Sequence, residues 1–321
     1  MVDSNNNRVL VFDVATSTIH DGEDAENVLG QPDFTSNNVT TTQSGLNFPD
    51  DAVYDSVDNR LFVTDQGNSR ILVFDVATST IHDGEDAENV LGQPDFTSDA
   101  ATTTQSGVSD VVMTDFDSSS SRLFVTENSN HRILIFDVAT STIHDGEDAE
   151  NVLGQPDFTS KAAMTTQSGT SFFDGVSYDP VNNIIFAADT GNNRVLVFDV
   201  ATSTIHDGED AENVLGQADF TSSDFGASQQ MFSEVSLSDV VYDAVNRKLF
   251  VDDGGNNRVL QFNFITIKTS SLPDGTVDTL YSQTINTTSS QGSVSFSVYD
   301  GSLPSGFTMD SSSGVISGTP T

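Results

Sequence analysis

"GLNFPDDAVYDSVDNRLFVTDQGNSRILVFD", residues 45–75, holds three apolar runs divided by turn formers. "DDAVYDSV" alternates between apolar and polar residues, whereas "RLFVTD" and "RILVFDV" are apolar at successive positions, and Asp, Asn and Gly stand between them. Short runs of β-branched and aromatic residues bounded by such turns read as antiparallel strands. The "NVLGQ" that follows at 89–93 supplies a fourth. Because Leu61–Val63 and Ile71–Phe74 are apolar toward both faces, their sheet has to be covered on both sides.

The same pattern returns. Phe12, Phe74, Phe136 and Phe198 are spaced by 62 residues, and Phe262 follows after 64. A fixed period of this length marks a repeat architecture. Four-stranded sheets repeated along one chain cover each other by stacking radially, so the expected fold is all-β, a β-propeller of four-stranded antiparallel blades. A helical solenoid is excluded by the β-branched content and the lack of a 3.6-residue stripe, and a parallel β-helix by its shorter coils.

The proline before the first strand, the Asp closing the first and second strands and the "N-x-R" opening the third resemble the NHL repeat, and they recur at 107–137, 169–199 and 232–263. An NHL unit is about 40 residues, close to other propeller blades. The surplus here lies in "ATSTIHDGEDAE" and in the Thr-rich stretch after "PDFTS". From Ile265 the composition shifts to Ser and Thr, and "LPSGFTMDSSSGVISGTPT" at 303–321 resembles the Ig-like (cadherin-like) modules of bacterial surface proteins. A complete sandwich needs about seven strands and 100 residues, so the resemblance implies a fragment. The domains expected are a partial NHL-like propeller at 1–264, a linker at 265–275 and an Ig-like fragment at 276–321. Met1 aligns with Val63, inside a second strand, so three full blades with a partial blade at each end are expected, as an arc or strained ring cut from a longer chain.

Eleven Lys and Arg against 48 Asp and Glu give a formal charge of −37. That balance repels phosphate backbones and anionic membranes, so no nucleic acid partner and no membrane insertion are expected. No cysteine is present, which leaves the redox compartment open. No apolar run is long enough to span a bilayer, and no signal segment follows Met1.

The phrase "FDVATSTIHDGEDAENVLGQPDFTS" stands at 12–36, 74–98 and 136–160, and again at 198–222 with Ala218 in place of proline. Its carboxylates are Asp21, Glu23, Asp24 and Glu26 in the first copy, then Asp83, Glu85, Asp86 and Glu88, Asp145, Glu147, Asp148 and Glu150, and Asp207, Glu209, Asp210 and Glu212. Clustered oxygens beside a glycine suit calcium, at the affinity of about 10⁻⁴–10⁻³ M common in extracellular modules, although the spacing is not that of an EF-hand. A solvated acidic loop at the outer rim accounts for the same residues and is preferred. His20, His82, His144 and His206 would form a zinc or nickel ring only if they converged on the axis; at the rim they are surface residues. His131 reads as structural. Arg70 with Asp65, and likewise Arg132, Arg194 and Arg258, read as turn-bracing residues rather than ligand contacts.

No nucleophile elbow, phosphate loop or cysteine metal site occurs. Near-identical blades present rings of like groups, which favours binding over catalysis. The function expected is therefore a non-enzymatic extracellular or cell-surface scaffold, for adhesion or recognition of a protein or carbohydrate, without an obligatory cofactor. The alternative is a propeller enzyme of lyase or lactonase type with a metal in the central channel, whose signature would be unlike polar residues near Asp50, Asp110, Asp174 and Asp239.

Overall fold

A computed structural model describes residues 1–234, 237, 239–264, 267–287, 294–298 and 301–320. Residues 265–266 of the expected linker, and 288–293, 299–300 and 321 of the expected Ig-like fragment, lie outside the described residues. The chain divides into two compact units, one of residues 1–244 and 250–260, the other of 245–249 and 261–321.

The first unit starts with β1 (Val2–Asp3), β2 (Arg8–Val11) and β3 (Asn27–Leu29), which form a three-stranded sheet. Three four-stranded sheets follow. They are β4 (Pro49–Asp55), β5 (Arg60–Asp65), β6 (Arg70–Asp75) and β7 (Asn89–Leu91); β8 (Val111–Asp117), β9 (Arg122–Glu127), β10 (Arg132–Asp137) and β11 (Asn151–Leu153); and β12 (Phe173–Asp179), β13 (Ile184–Asp189), β14 (Arg194–Asp199) and β15 (Asn213–Leu215). A final three-stranded sheet holds β16 (Val240–Asp243), β17 (Lys248–Asp253) and β18 (Arg258–Asn263). Register repeats from blade to blade: Pro49 pairs with Asp65, Val111 with Glu127 and Phe173 with Asp189, each followed by a bulge.

The hairpin from second to third strand ends in a left-handed residue: Asn7, Ser69, His131, Asn193 and Asn257 all have φ between 49° and 52°. Short polar side chains tolerate that conformation, which is why Asn dominates the position before the Arg.

First strands pack on first strands, β4 on β8, β8 on β12 and β12 on β16, so the fourth strands lie outermost. This is the β-propeller arrangement. Strand β10 shows why its apolar residues do not alternate: Leu134 and Phe136 join a core with Phe62, Ile71 and Val73 of the preceding blade. Ile133 and Ile135 join a core with Phe173, Ile185 and Phe198 of the following one. Both faces are interior.

Equal spacing predicts that Phe12, Phe74, Phe136 and Phe198 are all buried between neighbouring blades, and the structure corrects this at one of them. Phe74, Phe136 and Phe198 are fully buried, but Phe12 is partly exposed. Leu61, Leu123 and Ile185 stand opposite the buried three across the ladder. The ladder beside β2 is Val2–Asp3, which pairs with Val9 and Arg8, and among the described residues none stands opposite Phe12.

In the second unit, β19 (Tyr281–Thr284), β20 (Phe307–Met309) and β21 (Val315–Gly318) form a three-stranded sheet ordered β19-β21-β20. Tyr281 packs edge-on to Phe307 with ring centroids 5.1 Å apart. Among the described residues no helix is long and apolar enough to cross a membrane.

Candidate functional site

The acidic phrase folds as an arch between third and fourth strands, and half of its six acids accept local hydrogen bonds. In the second copy Asp75 accepts from the Ala77 amide at 2.9 Å and the Thr80 hydroxyl at 2.7 Å. Glu85 accepts from the His82 amide at 3.0 Å. Ala87 is buried, its amide donating to the Gln43 carbonyl and its carbonyl accepting from Gln43 Nε2 at 2.8 Å. Gln105 and Gln167 hold Ala149 and Ala211 in the same way.

The tip of the arch reaches back to the blade before. Asp83 Oδ1 accepts from the Val28 amide at 3.1 Å, and the Gly84 amide donates to the Val28 carbonyl at 3.0 Å. Asp145 and Gly146 do this to Val90, and Asp207 and Gly208 to Val152. The outermost strand of each preceding blade thus gains a partner along its free edge, which would otherwise invite foreign pairing. The glycines sit at φ of +69°, +70° and +68°, where a Cβ would lie 3.1, 3.2 and 3.0 Å from the Cα of Pro32, Pro94 and Pro156. The substitution in the fourth copy becomes intelligible. No acidic phrase follows β15, so nothing presses on position 218, and Ala218 replaces the proline.

In the first copy no such contact is made among the described residues. Asp21 is exposed, and a Cβ on Gly22, at φ +75°, would meet nothing within 4 Å. Two matched substitutions therefore isolate the clasp. Gly22→Ala should cost about 1 kcal/mol for the left-handed backbone alone. Gly146→Ala should cost about 1–3 kcal/mol more, from crowding against Pro94. Urea unfolding midpoints measure both, and equal losses would count against the clasp.

Clasping changes what is left for an ion. In copies two to four the first Asp and the first Glu of each cluster already hold backbone amides, which leaves Asp86 with Glu88, Asp148 with Glu150 and Asp210 with Glu212 exposed. Among the described residues no three His, Asp or Glu side chains are gathered as a metal ion requires. Calcium takes six to eight oxygens, and each of these exposed pairs offers the carboxylates of two residues. His20, His82 and His144 lie 3.4–3.6 Å from Glu23, Glu85 and Glu147 of their own loops.

The turn-bracing arginines are buried hubs. Arg70 pairs with Asp65 at 2.7 Å and donates to the carbonyls of Phe96, Thr42 and Gly45, tying its hairpin to the loops that enter and leave the blade. Arg132 does the same with Glu127, Phe158, Thr104 and Gly107, and Arg194 with Asp189, Phe220, Thr166 and Gly169. Arg258 pairs with Asp253 at 2.6 Å but is partly exposed. His131 is structural as read. Its Nδ1 accepts the Phe172 amide at 3.0 Å, as Asn7 Oδ1 accepts the Phe48 amide.

Sequence reasoning passed over Arg60 and Arg122. Arg60 pairs with Asp55 at 2.8 Å and donates to the Val138 carbonyl of the next blade at 2.7 Å; Arg122 does so to Val200 at 2.6 Å. A signal existed. The equivalent of Arg122 in the next blade is Ile184, and the blade after it lacks the "DVATST" arch that would offer the carbonyl.

Toward the axis, Asp50, Asp110, Asp174 and Asp239 stand at the starts of the first strands. Burial pushes the Asp50 carboxyl above the ordinary range, and repulsion from Asp51, Asp110 and Asp174 adds to it. Burial likewise raises Asp174 and Asp239. Neighbouring blades are bonded here too: Asp51 accepts from the Thr114 amide at 2.8 Å, Asp115 from the Tyr178 amide at 2.6 Å, and Ser177 Oγ from the Tyr242 amide at 3.0 Å.

Burial lifts Asp115 to about 6. With the folded value above the unfolded one, the folded state holds the extra proton between about pH 4 and 6. Stability should therefore rise as pH falls through that window, by about 1–3 kcal/mol. Below it, stability should fall again, because Asp117, against its burial, is held at about 2 by Ser119, Ser120 and Arg122. Asp115→Asn keeps an oxygen for the Tyr178 amide and should flatten the rise while stabilising the protein at pH 8. Denaturant midpoints across pH test this; an unchanged slope in the variant would refute it.

Comparison with known proteins gives one family match. Residues 263–321 match the He_PIG family, described as "Putative Ig domain". No curated protein matches the chain. Among solved structures, the β-propeller domain of Myceliophteria thermophila Cps50 (Swd1) is similar at 10% identity and a TM-score of 0.42, over 68% of this chain and 54% of that one. A nidogen/laminin complex is similar at 14% identity and a TM-score of 0.42, over 68% and 60%. The chain thus spans little more than half the length of these structures, and the propeller assignment rests on its own strand order and packing.

Proposed function

We propose that the protein is a non-enzymatic scaffold of the NHL-like propeller type, working at the cell surface or outside the cell and presenting its blades to a protein or carbohydrate ligand. One observation carries the reading: the residues that looked most like chemistry are occupied in holding the propeller together. Arg70, Arg132 and Arg194 are buried among carbonyls, and the acidic loops clasp blade to blade. At the axis the residues are like rather than unlike, four aspartates instead of a mixed acid, base and ligand set. An Ig-type sequence match beyond the propeller is consistent with a displayed protein, and one similar structure is a complex of two proteins.

The test uses the whole chain, immobilised and probed with arrays of glycans and of extracellular matrix proteins, beside turnover assays on lactone and uronate substrates. Saturable binding that survives Asp50→Asn/Asp110→Asn/Asp174→Asn, with no turnover above background, supports the proposal. Turnover abolished by that triple substitution would replace it with the enzyme reading.

A further inference from the structure

We infer that two neighbouring clefts between blades are paired sites for a neutral saccharide chain, an inference that rests on the binding role proposed above and names the class of its ligand. One cleft, of about 280 Å³, lies between Gln31 and Pro32, the hydroxyls of Thr40, Thr42 and Ser44, and Gly84 at the tip of the next acidic arch. The other, of about 450 Å³, repeats it one period on, with Thr102, Thr104 and Ser106 facing Pro94 and the tip formed by Asp145 and Gly146. Small-ligand sites begin at about 300 Å³.

A braced loop holds the hydroxyls in place. Thr103 points inward, its Oγ1 donating to Asn130 Oδ1 at 2.8 Å. Asn130 Nδ2 holds the Thr102 carbonyl at 3.1 Å, and Arg132 holds those of Thr104 and Gly107. Thr102 and Thr104, on either side, are exposed, and their hydroxyls converge over Gly107, which leaves them room by having no Cβ. Among the described residues neither hydroxyl, nor that of Ser106, has a hydrogen-bond partner. Thr40 and Thr42 converge over Gly45 in the same way, with their hydroxyls 3.5 Å apart. Hydroxyls that both donate and accept match those of a sugar, whereas an apolar ligand would strand them. No Lys or Arg lines either cleft, and a formal charge of −37 repels acidic sugars.

The third copy shows what closes such a cleft. Met164 stands where the first two copies have Thr40 and Thr102. A Cβ on Gly169 would meet Met164 Cβ at 2.6 Å and Cε at 3.0 Å, so the methionine covers the floor. The loop is braced as before, Thr165 to Asn192 at 2.7 Å and Asn192 to the Met164 carbonyl at 2.8 Å. Methionine therefore fills the cleft and leaves the backbone unmoved.

Two sites on one rigid frame bind a repeating chain about 10²–10⁴-fold more tightly than one site does. The whole chain is titrated calorimetrically with mannan, galactan and dextran. At least one should bind, Thr102→Met should weaken it by about 100-fold, and Thr40→Met/Thr102→Met should abolish it. Met164→Thr, which opens a third cleft, should tighten it. All variants should unfold at the wild-type urea midpoint, since the third copy already carries the methionine. Equal binding by the double variant and the wild type would overturn the inference, as would failure of the wild type to bind any of the three. Binding to a matrix protein alone would overturn it and leave the scaffold reading standing, whereas turnover of a lactone would overturn that reading.

Discussion

Arg132→Met should destabilise the propeller by about 3–5 kcal/mol, the range for removing one partner of a buried ion pair. Glu127 has no exposed surface, so its charge would be left in the interior with only the Ser109 amide and the Asn130 side chain to hold it. Methionine matches the length of the arginine stem but donates to none of the Thr104, Gly107 and Phe158 carbonyls that the guanidinium satisfies. Set against a total of about 5–15 kcal/mol for a folded domain, a loss of this size is severe. Arg258→Met is the control. Its own side chain keeps 27% exposure, so water replaces part of what it donates, but Asp253 is enclosed and keeps the Ser233 amide and the Asn256 side chain, and a smaller cost of about 2–3 kcal/mol is expected. Adding Glu127→Gln to Arg132→Met should recover part of the loss by removing the stranded charge. Guanidinium denaturation reports all three, and a cost below about 1 kcal/mol for Arg132→Met would contradict the hub role.

The second large effect is expected from Phe136→Ala, at about 3–5 kcal/mol. Phe136 is fully enclosed between two blades, with Leu123 opposite it across the ladder and Val73 and Leu91 in the same core. Neighbours on both sides are themselves held by ladders and cannot collapse into the space. Phe12→Ala, at the same place in its repeat, should cost about 1–2 kcal/mol, because a partly exposed ring gives up less buried area. Similar losses for the two would mean that the first blade is covered as fully as the third.

The fold was legible because the signals that set it are local. Two-sided apolar strands such as Ile71–Phe74 require covered sheets, and the 62-residue period requires that each blade be covered by its neighbour. Blade boundaries, the incomplete first and last blades and the bracing of Arg70 by Asp65 all followed. The acidic loops were legible in composition but not in role. Six acids in 25 residues suggested solvent or calcium. The partner of Asp83 is the backbone amide of Val28, 55 residues away, and backbone groups leave no trace in a sequence. Two hints did exist, Ala218 in the only copy not followed by another acidic phrase and Ile184 in place of an arginine, and both acquire meaning only with the geometry. Phe12 was misjudged for a related reason: equal spacing says that positions are equivalent, not that each has its neighbour.

The direction of the clasp has a consequence for the way the chain comes off the ribosome. Each bond runs from a later blade to an earlier one, so Val28 waits for Asp83, 55 residues downstream. At about 5–20 residues per second that interval is roughly 3–11 s. For those seconds the outermost strand of a nascent blade has an open edge, and its near-identical siblings on the same polysome are the strands most able to pair with it. Because the second, third and fourth copies each carry a latch for the unit before, those edges close one after another as synthesis proceeds. The dense negative charge around each latch, meanwhile, keeps neighbouring nascent chains apart. The acidity of the phrase protects the assembly it completes.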